Sequence, residues 1–265
     1  MLRFLDVPQA VVSTSEGNVG VPILYRQARS VMAVFPVEAS RLRALLEDDE
    51  LEPVTVADGK PVIAIAMFDY QDTSIGPYHE AAVATLVVPR AFGIPFRPAL
   101  DLLLPFRWRR VGMYILDLPV TTAIANAAGR ELWGLPKFVT EIPIEWQAEE
   151  FRGAVLAPGS SSPVITLKGE LGRGTVLPQK AILLYSRLHG ELIATRVDLY
   201  GLARHTRSTS LQLEVGAVQH PMAERLAKLG LGGAKPALVQ VAPSFRARLH
   251  LGHRLRLGEP TQKAA

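Results

Sequence analysis

Residues Pro61–Met67 read PVIAIAM, a run of seven residues without a polar side chain. Valine and isoleucine favour strands, and a short apolar run without polar alternation is typical of a strand buried on both faces. Ala181–Leu184 has the same character. Two interpretations follow: these segments belong to an ordinary core, or they form the wall of an apolar cavity inside a β-barrel. The residues alone favour the first interpretation.

The rest of the chain is divided into many short strand-like stretches. The 21 glycines and 20 prolines are spread along its length, as in domains that consist mostly of β-strands. The predicted strands are Ser30–Phe35, Pro61–Phe68, His79–Val88, Gly112–Leu118, Val139–Trp146, Val164–Gly169, Ala181–Ser186, Glu191–Asp198, Ser208–Val215, Ala237–Val241 and Phe245–Leu251. Short helices are predicted at Glu38–Leu46, at Thr122–Ala128 with Gly129 as its C-terminal stop, and at Pro221–Leu229.

These elements predict an α+β fold dominated by β-structure. We expect a large curved antiparallel sheet or a cone-shaped β-barrel, with the few short helices packed outside it. Neither an internal repeat nor a long linker divides the sequence, so we expect a single domain over residues 1–265.

Composition excludes several classes of chemistry. The 265 residues contain no cysteine, and therefore no disulfide, thiolate metal site, iron–sulfur cluster or cysteine nucleophile. Apolar residues make up 48% of the chain, which is enough for a substantial core. The net charge of +4 is too small to indicate a basic surface for nucleic acid. The alternating basic and apolar residues of Phe245–Leu251 fit the solvated face of a half-buried strand.

The sequence predicts neither export nor membrane insertion. Asp6 and Pro8 interrupt the first apolar residues before a signal peptide could form. The best apolar stretch, Ala81–Val88, is far shorter than the roughly 20 residues that cross a bilayer. We therefore expect a soluble, cytoplasmic protein that has no membrane partner.

Several common catalytic patterns are missing from the sequence. The six histidines lack the helical spacing of zinc hydrolases, and His250 and His253 would point to opposite faces of a strand. Ser160–Ser162 reads as a surface loop without a nucleophile elbow. Gly230–Gly233 is too short for a dinucleotide-binding loop. We expect neither a metal ion nor another cofactor.

The segment Gly129–Phe138, which reads GRELWGLPKF, contains the best candidate for chemistry. Its lysine, Lys137, follows Trp133, Leu135 and Pro136, and these side chains could exclude water. Burial disfavours an ammonium ion and so lowers the pKa of a lysine. An ordinary lysine has a free amine in about one molecule in 2,500 at pH 7, so a fall of about three pKa units would produce a nucleophile. The alternative is a surface lysine at a turn, and the segment alone favours that alternative.

The same segment resembles the hallmark of the acetoacetate decarboxylase-like superfamily. That hallmark is Gly-Arg-Glu followed a few residues later by an apolar or aromatic residue, Pro and Lys, and Gly129–Lys137 is similar to it throughout. The resemblance extends over most of the chain. Val34–Leu46 resembles the family's strand and first helix, Ala64–Glu80 its segment ending in Tyr-x-Glu, and Thr209–Leu213 with His220 and Pro221 its last strand-to-helix passage.

The resemblance implies a role for individual residues. Lys137 corresponds to the lysine that forms a Schiff base, and Glu80 to a glutamate that faces the pocket and shuttles protons. Arg29 lies within one residue of a substrate-facing arginine. Arg130 and Glu131 match the hallmark and are expected to support the lysine. The residues expected to line the substrate site are Arg29, Tyr78, Arg130, Glu131, Trp133 and Phe138.

Two departures from the family pattern bear on the reaction. The decarboxylases have a second lysine directly after the nucleophile, where this chain has Phe138. They also have a glutamate on the strand that corresponds to Pro61–Met67, where this chain has only apolar residues. Both departures change the charge of the pocket. They place decarboxylation in doubt, whereas imine formation needs only the lysine.

The expected function is therefore that of a Schiff-base lyase acting on a small keto acid. Decarboxylation of an acetoacetate-type β-keto acid is the first choice. The alternatives are an aldolase-dehydratase that joins pyruvate to an aldehyde through the same imine, and a β-barrel that binds a small molecule without catalysis. The expected partners are a small keto acid or ketone and further copies of the chain.

Overall fold

The computed structural model describes residues 4–46, 48–56, 58–207 and 209–255. Ser208, the first residue of one predicted strand, lies outside these ranges, as does the C-terminal end of the predicted domain. The strands are β1 (Ala10–Thr14), β2 (Gly17–Val21), β3 (Ile23–Pro36), β4 (Leu51–Pro53), β5 (Val62–Thr73), β6 (Tyr78–Pro89), β7 (Gly112–Val120), β8 (Lys137–Val139), β9 (Ile144–Gln147), β10 (Glu150–Leu156), β11 (Pro163–Glu170), β12 (Thr175–Pro178), β13 (Ile182–Leu188), β14 (Glu191–Thr206), β15 (Gln212–Val215), β16 (Leu238–Leu249) and β17 (His253–Arg254). The helices are α1 (Ala39–Arg43), α2 (Pro98–Asp101), α3 (Ala123–Trp133) and α4 (Pro221–Lys228).

Seven strands close into a barrel in the order β6-β5-β3-β16-β14-β13-β7, and pairing between β7 and β6 completes the ring. Neighbouring strands are antiparallel except β13 and β7, which are parallel. The short strands β4, β8, β12 and β17 extend the edges of β6, β7 and β14. The prediction of a β-dominated fold with a barrel and few short helices is confirmed.

A second sheet covers one side of the barrel. It has the strand order β15-β11-β10-β9, and α4 packs beside it. Apolar side chains from the outer face of the barrel, such as Ile63 and Ile65, share one buried cluster with Phe151 of the second sheet and Leu226 of α4. The main core of the protein therefore lies between the barrel and this covering layer.

The segment Pro61–Met67 is buried at every residue, as its composition predicts. Because successive side chains of a strand point to opposite faces, Ile63, Ile65 and Met67 face the outer core, whereas Ala66 faces the barrel interior. The two interpretations of this segment therefore describe its two faces, since it belongs to the core and also to the barrel wall.

Helix α3 corrects the prediction that Gly129 ends a helix. The helix continues to Trp133, and Gly134 forms its C-terminal cap with a φ of 61°, in the left-handed region that favours glycine. A glycine inside a helix costs only about 1 kcal/mol relative to alanine, which tertiary contacts readily offset. The backbone of Gly134 also lies so close to the carbonyl of Arg187 that a Cβ atom would not fit.

Other boundaries also differ from the sequence prediction. The predicted strand Val139–Trp146 is two separate strands, β8 and β9. The predicted strands Ala237–Val241 and Phe245–Leu251 are one strand, β16, whose pairing with β3 is irregular between Ala242 and Phe245. None of the helices in the described ranges is both long and apolar enough to span a bilayer.

Candidate active site

Lys137 lies at the start of β8, directly after the turn that follows α3. Strand β8 pairs with β7 in parallel, with Lys137 opposite Leu118. Leu118 belongs to the apolar cluster of the barrel interior, and the side chain of Lys137 is only 6% exposed. The structure therefore buries the lysine, although the segment alone favours the alternative of a surface lysine at a turn.

Phe138 lies on the opposite face of the same strand. Its ring packs on the outer core, 5.2 Å from the ring of His220. A residue next to the lysine points away from it because side chains alternate along a strand. The structure therefore does not place Phe138 with Lys137, although the sequence predicted both in one site. For the same reason, a lysine at position 138 would not face the amine from within this strand.

Helix α3 positions the stem of Lys137. A Cβ atom on Gly129 would lie 2.5 Å from Cε of Lys137 and closer still to Cδ, so only glycine leaves space for the stem. Arg130 donates a hydrogen bond from Nη1 to the main-chain oxygen of Lys137, at 3.0 Å. Trp133 is buried at the end of the helix and donates from Nε1 to the carbonyl of His250, at 2.8 Å. Gly129 and Arg130 therefore hold the stem and the backbone of the lysine, and Trp133 fixes the end of the helix.

Glu80 is the direct partner of the amine. It lies on β6, opposite Phe68 of β5 and Val120 of β7, and its side chain is 9% exposed. Its Oε2 lies 2.7 Å from Nζ of Lys137, so the pair forms a buried, charge-assisted hydrogen bond. Removing two charges from water is expensive, and a pair this buried is therefore unusual unless the site uses it.

Three buried tyrosines surround the pair. Tyr70 donates to Oε1 of Glu80 at 3.3 Å, and the hydroxyls of Tyr25 and Tyr78 lie 3.1 Å apart. Nζ of Lys137 is 5.7 Å from the centre of the Tyr78 ring. Burial raises the pKa of all three hydroxyls, and the negative charge of Glu80 acts in the same direction. The tyrosines therefore keep their protons at neutral pH and can donate hydrogen bonds.

Tyr25 and Tyr70 were not predicted as site residues. A signal for Tyr70 exists in the sequence. It lies two residues after Phe68, so both side chains point to the same face of the strand, and it pairs across the hairpin with Tyr78, which was predicted. Tyr25 lies before the predicted start of its strand, which begins at Ile23 rather than at Ser30.

Arg29 does not face the site, contrary to the prediction. Its Nε lies 2.7 Å from Oδ2 of Asp69, and its guanidinium stacks on the ring of Trp146 at 4.8 Å. It shares the outer face of β3 with Val31. The resemblance located this arginine to within one residue, and a shift of one residue along a strand moves a side chain to the other face.

Glu131 also lies outside the site. It is exposed on α3 and accepts hydrogen bonds from the backbone N–H of Ser15, at 3.0 Å, and from the Ser15 hydroxyl. Ser15 lies in the turn between β1 and β2. Glu131 therefore fixes this hairpin to the helix that carries Gly129. The structure places the side chains of Arg130 and Glu131 on backbone groups and not beside the Lys137 amine, and their supporting role stays a prediction.

The arrangement is one of a basic nitrogen, an acid and hydroxyl donors inside a mostly apolar barrel. Within the described ranges, no group of three or more histidine, aspartate or glutamate side chains is placed to hold a metal ion. A proton can pass between Nζ and Glu80 over a single hydrogen bond, and the hydroxyls can stabilise charge that develops on a nearby oxygen. These groups are suited to the attack of an amine on a carbonyl.

Solved structures with the same architecture were found at low sequence identity. Acetoacetate decarboxylase from Legionella pneumophila is 15% identical, with a TM-score of 0.66 over 95% of this chain and 92% of that chain. An acetoacetate decarboxylase-like enzyme from Sphingomonas wittichii RW1 is 17% identical, with a TM-score of 0.60 over 88% and 92%. The enduracididine biosynthesis enzyme MppR, complexed with the condensation product of pyruvate and imidazole 4-carboxaldehyde, is 17% identical, with a TM-score of 0.60 over 90% and 91%.

A search of curated proteins found no match to the sequence. The statistical description of one protein family, acetoacetate decarboxylase (ADC), does match, and the match covers residues 6–231. This range includes the Gly129–Lys137 hallmark, Glu80 and the whole covering sheet. The chain belongs to the acetoacetate decarboxylase family.

Proposed function

We propose that this protein is a Schiff-base lyase that decarboxylates a small β-keto acid. The observation that carries the proposal is the buried contact of 2.7 Å between Nζ of Lys137 and Oε2 of Glu80. An amine in this position can lose its proton to the carboxylate without contact with bulk water. The pair therefore provides both the nucleophile and the group that stores its proton.

The first half of the reaction forms the imine. Neutral Lys137 attacks the ketone carbon, a C–N bond forms, and the carbonyl π electrons move to oxygen. The proton held on Glu80 then reaches this oxygen, and the positively charged nitrogen of the adduct gives up a second proton to it by way of the Glu80 carboxylate. The oxygen leaves as water while the nitrogen lone pair freed in this way forms the C=N bond, which gives a protonated iminium and an ionised Glu80. Tyr78, whose ring lies near Nζ, and Tyr70, which is bonded to Glu80, can donate to the developing oxyanion.

The second half breaks the C–C bond to the carboxylate. The bonding electrons move into the iminium, carbon dioxide leaves, and an enamine remains on Lys137. Glu80, which the first half leaves ionised, takes up a proton from solvent and delivers it to the enamine carbon, which becomes a methyl or methylene group. Water adds to the resulting iminium, the ketone leaves, and the proton released in this step returns to Glu80, so that Lys137 is restored as the free amine. Each step uses only groups that meet at the buried pair, together with water.

The outward position of Arg29 favours decarboxylation over the aldol route. The sequence assigned this cation to the substrate carboxylate, yet it is paired with Asp69 outside the barrel. A reaction that expels the carboxylate beside the negatively charged Glu80 tolerates that loss, because the charge repulsion is relieved as carbon dioxide forms. An aldolase must hold the carboxylate throughout its cycle.

A second candidate is the aldolase-dehydratase, and one comparison favours it. MppR, which shares the fold, was solved with a condensation product of pyruvate and an aldehyde. The same Lys137 imine would lose a proton from the neighbouring carbon rather than carbon dioxide, and the resulting enamine would attack the aldehyde. Water loss would then give a conjugated product.

Borohydride trapping tests the shared step. Reduction in the presence of acetoacetate should convert the imine to a stable secondary amine, which mass spectrometry should locate on the peptide that contains Lys137. Released carbon dioxide would identify the decarboxylase. Absorption of an extended enone from pyruvate and an aldehyde would identify the aldolase-dehydratase instead. An unmodified protein across a broad panel of keto acids and aldehydes would contradict both and favour a non-catalytic binding barrel.

A further inference from the structure

We propose that the hairpin of β1 and β2 is a gate over the barrel, and that Glu131 is the positioning residue that holds the gate closed. The proposal rests on the proposed function, because it names the route by which a substrate reaches Lys137. The side chains of Lys137 and Glu80 are only 6% and 9% exposed. A carbonyl carbon must come within bonding distance of Nζ, so an element that covers the pair has to move before the reaction begins.

The buried pair lies near one end of the barrel. Strand β6 runs from Tyr78 to Pro89, so at about 3.3 Å per residue Glu80 lies about 7 Å from the first residue of the strand and about 30 Å from the last. Towards the far end, Leu86 lies on the same face of β6 as Glu80 and belongs to a separate buried apolar cluster. The shorter route to the pair therefore starts at the end of the barrel where β6 begins.

The hairpin of β1 and β2 packs on this end of the barrel. Val12 of β1 lies opposite Val19 of β2, and Val21 is on the same face as Val19. Val19 is fully buried, and it shares with Val21 the apolar cluster of the barrel interior, which also contains Tyr25 and Tyr78. The other face of the hairpin is exposed. The hairpin therefore covers the tyrosines that surround the pair with one apolar face.

The hairpin has fewer attachments than the other elements around the pair. In the part of the chain that the structure describes, β1 and β2 form strand pairs only with each other. The turn between β5 and β6, in contrast, is bonded to β3, because Ser74 donates from its backbone N–H to the carbonyl of Leu24 at 2.8 Å and its hydroxyl accepts from the N–H of Leu24 at 3.0 Å. The hairpin can leave the barrel without breaking a pairing of the barrel strands. Elements with few such bonds are the ones that open locally.

Glu131 provides the polar attachment of the hairpin. Its carboxylate accepts hydrogen bonds from both the backbone N–H and the hydroxyl of Ser15 in the turn between β1 and β2. It lies on α3, two residues after Gly129, which contacts the stem of Lys137. The helix that holds the lysine stem thus also holds the gate. Removing the carboxylate should raise the fraction of molecules in which the gate is open, without a change beside the amine.

The first test measures how often the Lys137 amine becomes accessible. Formaldehyde with cyanoborohydride methylates accessible amines, and mass spectrometry gives the rate at Lys137 relative to Lys60, whose side chain is 49% exposed. Glu131→Ala should raise the relative rate by about 3- to 10-fold, the change expected when one or two hydrogen bonds are lost. Alanine favours helices, so α3 should stay intact. Glu16→Ala is the matched control, because it removes an exposed carboxylate from the same turn, and it should leave the rate unchanged.

The second test holds the gate closed. Since the chain has no cysteine, the pair Ser15→Cys and Glu131→Cys can be joined by a short bis-methanethiosulfonate reagent and released again by a reducing agent. Methylation of Lys137 and turnover of a keto acid should both fall to the limit of detection in the joined protein and return after reduction. Each single cysteine variant, treated with the same reagent, should keep the accessibility that it has without the reagent.

Three outcomes would overturn the proposal. The first is a joined protein in which Lys137 is methylated as fast as after reduction, because the substrate would then enter elsewhere. The second is a rate in Glu131→Ala no higher than in Glu16→Ala. The third is a faster rate in Glu131→Ala that is matched by an equal loss of global stability in denaturant unfolding, because the lysine would then be exposed by unfolding. Methylation does not require turnover, so protection of Lys137 by the joined hairpin in a protein that turns over no keto acid would support the gate and contradict the proposed function.

Discussion

The two faces of the hairpin formed by β5 and β6 differ in the size and chemistry of their side chains. The outer face carries large apolar side chains that fill the core under the second sheet, including Ile63, Ile65 and Met67. The inner face carries small side chains such as Ala66 and Ala82, the aromatic rings of Tyr70 and Tyr78, and the charged Glu80. Large side chains fill the space between the two layers, whereas the inner face brings hydroxyl and carboxylate groups together among apolar side chains.

Residues that are adjacent in sequence therefore point to opposite faces of the barrel wall and make different contacts. Glu80 faces the amine, while His79 turns outward and its Nδ1 lies 2.7 Å from the carbonyl of Ile142. Lys137 faces inward, while Phe138 packs on the outer core. The comparison teaches that the barrel wall separates the groups of the proposed reaction from those that hold the wall in place. Lys137 and Glu80 each have an outer neighbour in sequence that can serve as a control.

The largest effect is expected at Lys137. Lys137→Ala removes the nucleophile, and Lys137→Arg keeps a positive charge beside Glu80 but cannot supply a neutral nitrogen. Borohydride trapping and turnover should both fall below detection in each variant. Phe138→Leu, which changes the outer neighbour, should keep most of the activity. Full activity in either lysine variant would show that another residue forms the imine.

A smaller but substantial effect is expected at Glu80. Glu80→Gln keeps the shape of the side chain but cannot take up the lysine proton, so turnover should fall by about 10²–10⁴-fold. The yield of trapped imine should fall less, because trapping needs only one attack per molecule. Leaving a buried charge without its partner should also lower stability by up to about 3–5 kcal/mol, measured by denaturant unfolding. His79→Gln is the outer control, and equal losses of turnover and trapping in Glu80→Gln would indicate a positioning role.

Gly129→Ala should have an intermediate effect on turnover. The added methyl group would overlap the stem of Lys137, and a displacement of about 1 Å at a reacting group can cost about 10²-fold in rate. Overpacking should also destabilise the fold by about 1–3 kcal/mol, despite the better helix propensity of alanine. Gly232→Ala is the matched control, because no atom lies within 4 Å of its added Cβ. Wild-type turnover in Gly129→Ala would mean that the lysine stem can move aside.

The smallest effect is expected at Arg29. Because its ion pair with Asp69 is a third exposed on the guanidinium side, Arg29→Gln should change stability by at most about 1 kcal/mol. Turnover and KM for a keto acid should stay within about twofold of the wild type. A large rise in KM would instead show that Arg29 reaches the substrate, and the distinction between the two faces would then fail.

The β-rich fold could be predicted because its signals are local. Valine and isoleucine runs, with glycine and proline between them, mark the strands, and the proline of α4 marks the start of that helix. What could not be predicted is which residues of each strand face the barrel interior and which face the outer core. Pro61–Met67 is apolar at every position, so its pattern cannot show which residues face inward, although the alternation of isoleucine with alanine is a usable signal once a barrel is assumed.

The candidate site could be predicted where a sequence motif fixes the position of a residue. It could not be predicted where the resemblance left the alignment open by one residue. The Gly129–Lys137 hallmark determines the lysine because a capped helix, a turn and a strand follow each other without a gap. The resemblance located Arg29 only to within one residue, on strand β3, whose pairing with β5 is irregular around Gln27. Such irregularities move each following side chain to the opposite face of the strand, and the strand propensities of the residues do not reveal them. Tyr25 was missed for the related reason that strand ends depend on distant partners.

The glycine that faces the Lys137 stem has a consequence for substrate choice. A stem held against a helix backbone keeps the amine at one depth in the barrel, so the protein cannot extend the lysine to meet a distant carbonyl. In the proposed reaction, a ketone must therefore bring its reactive carbon to that depth. We expect large differences in rate between positional isomers of one keto acid, in which the carbonyl group moves along the chain. Homologues that keep the carbonyl at the same distance from the end that enters the barrel first should differ less. The barrel would then select substrates by the position of their carbonyl group rather than by their size.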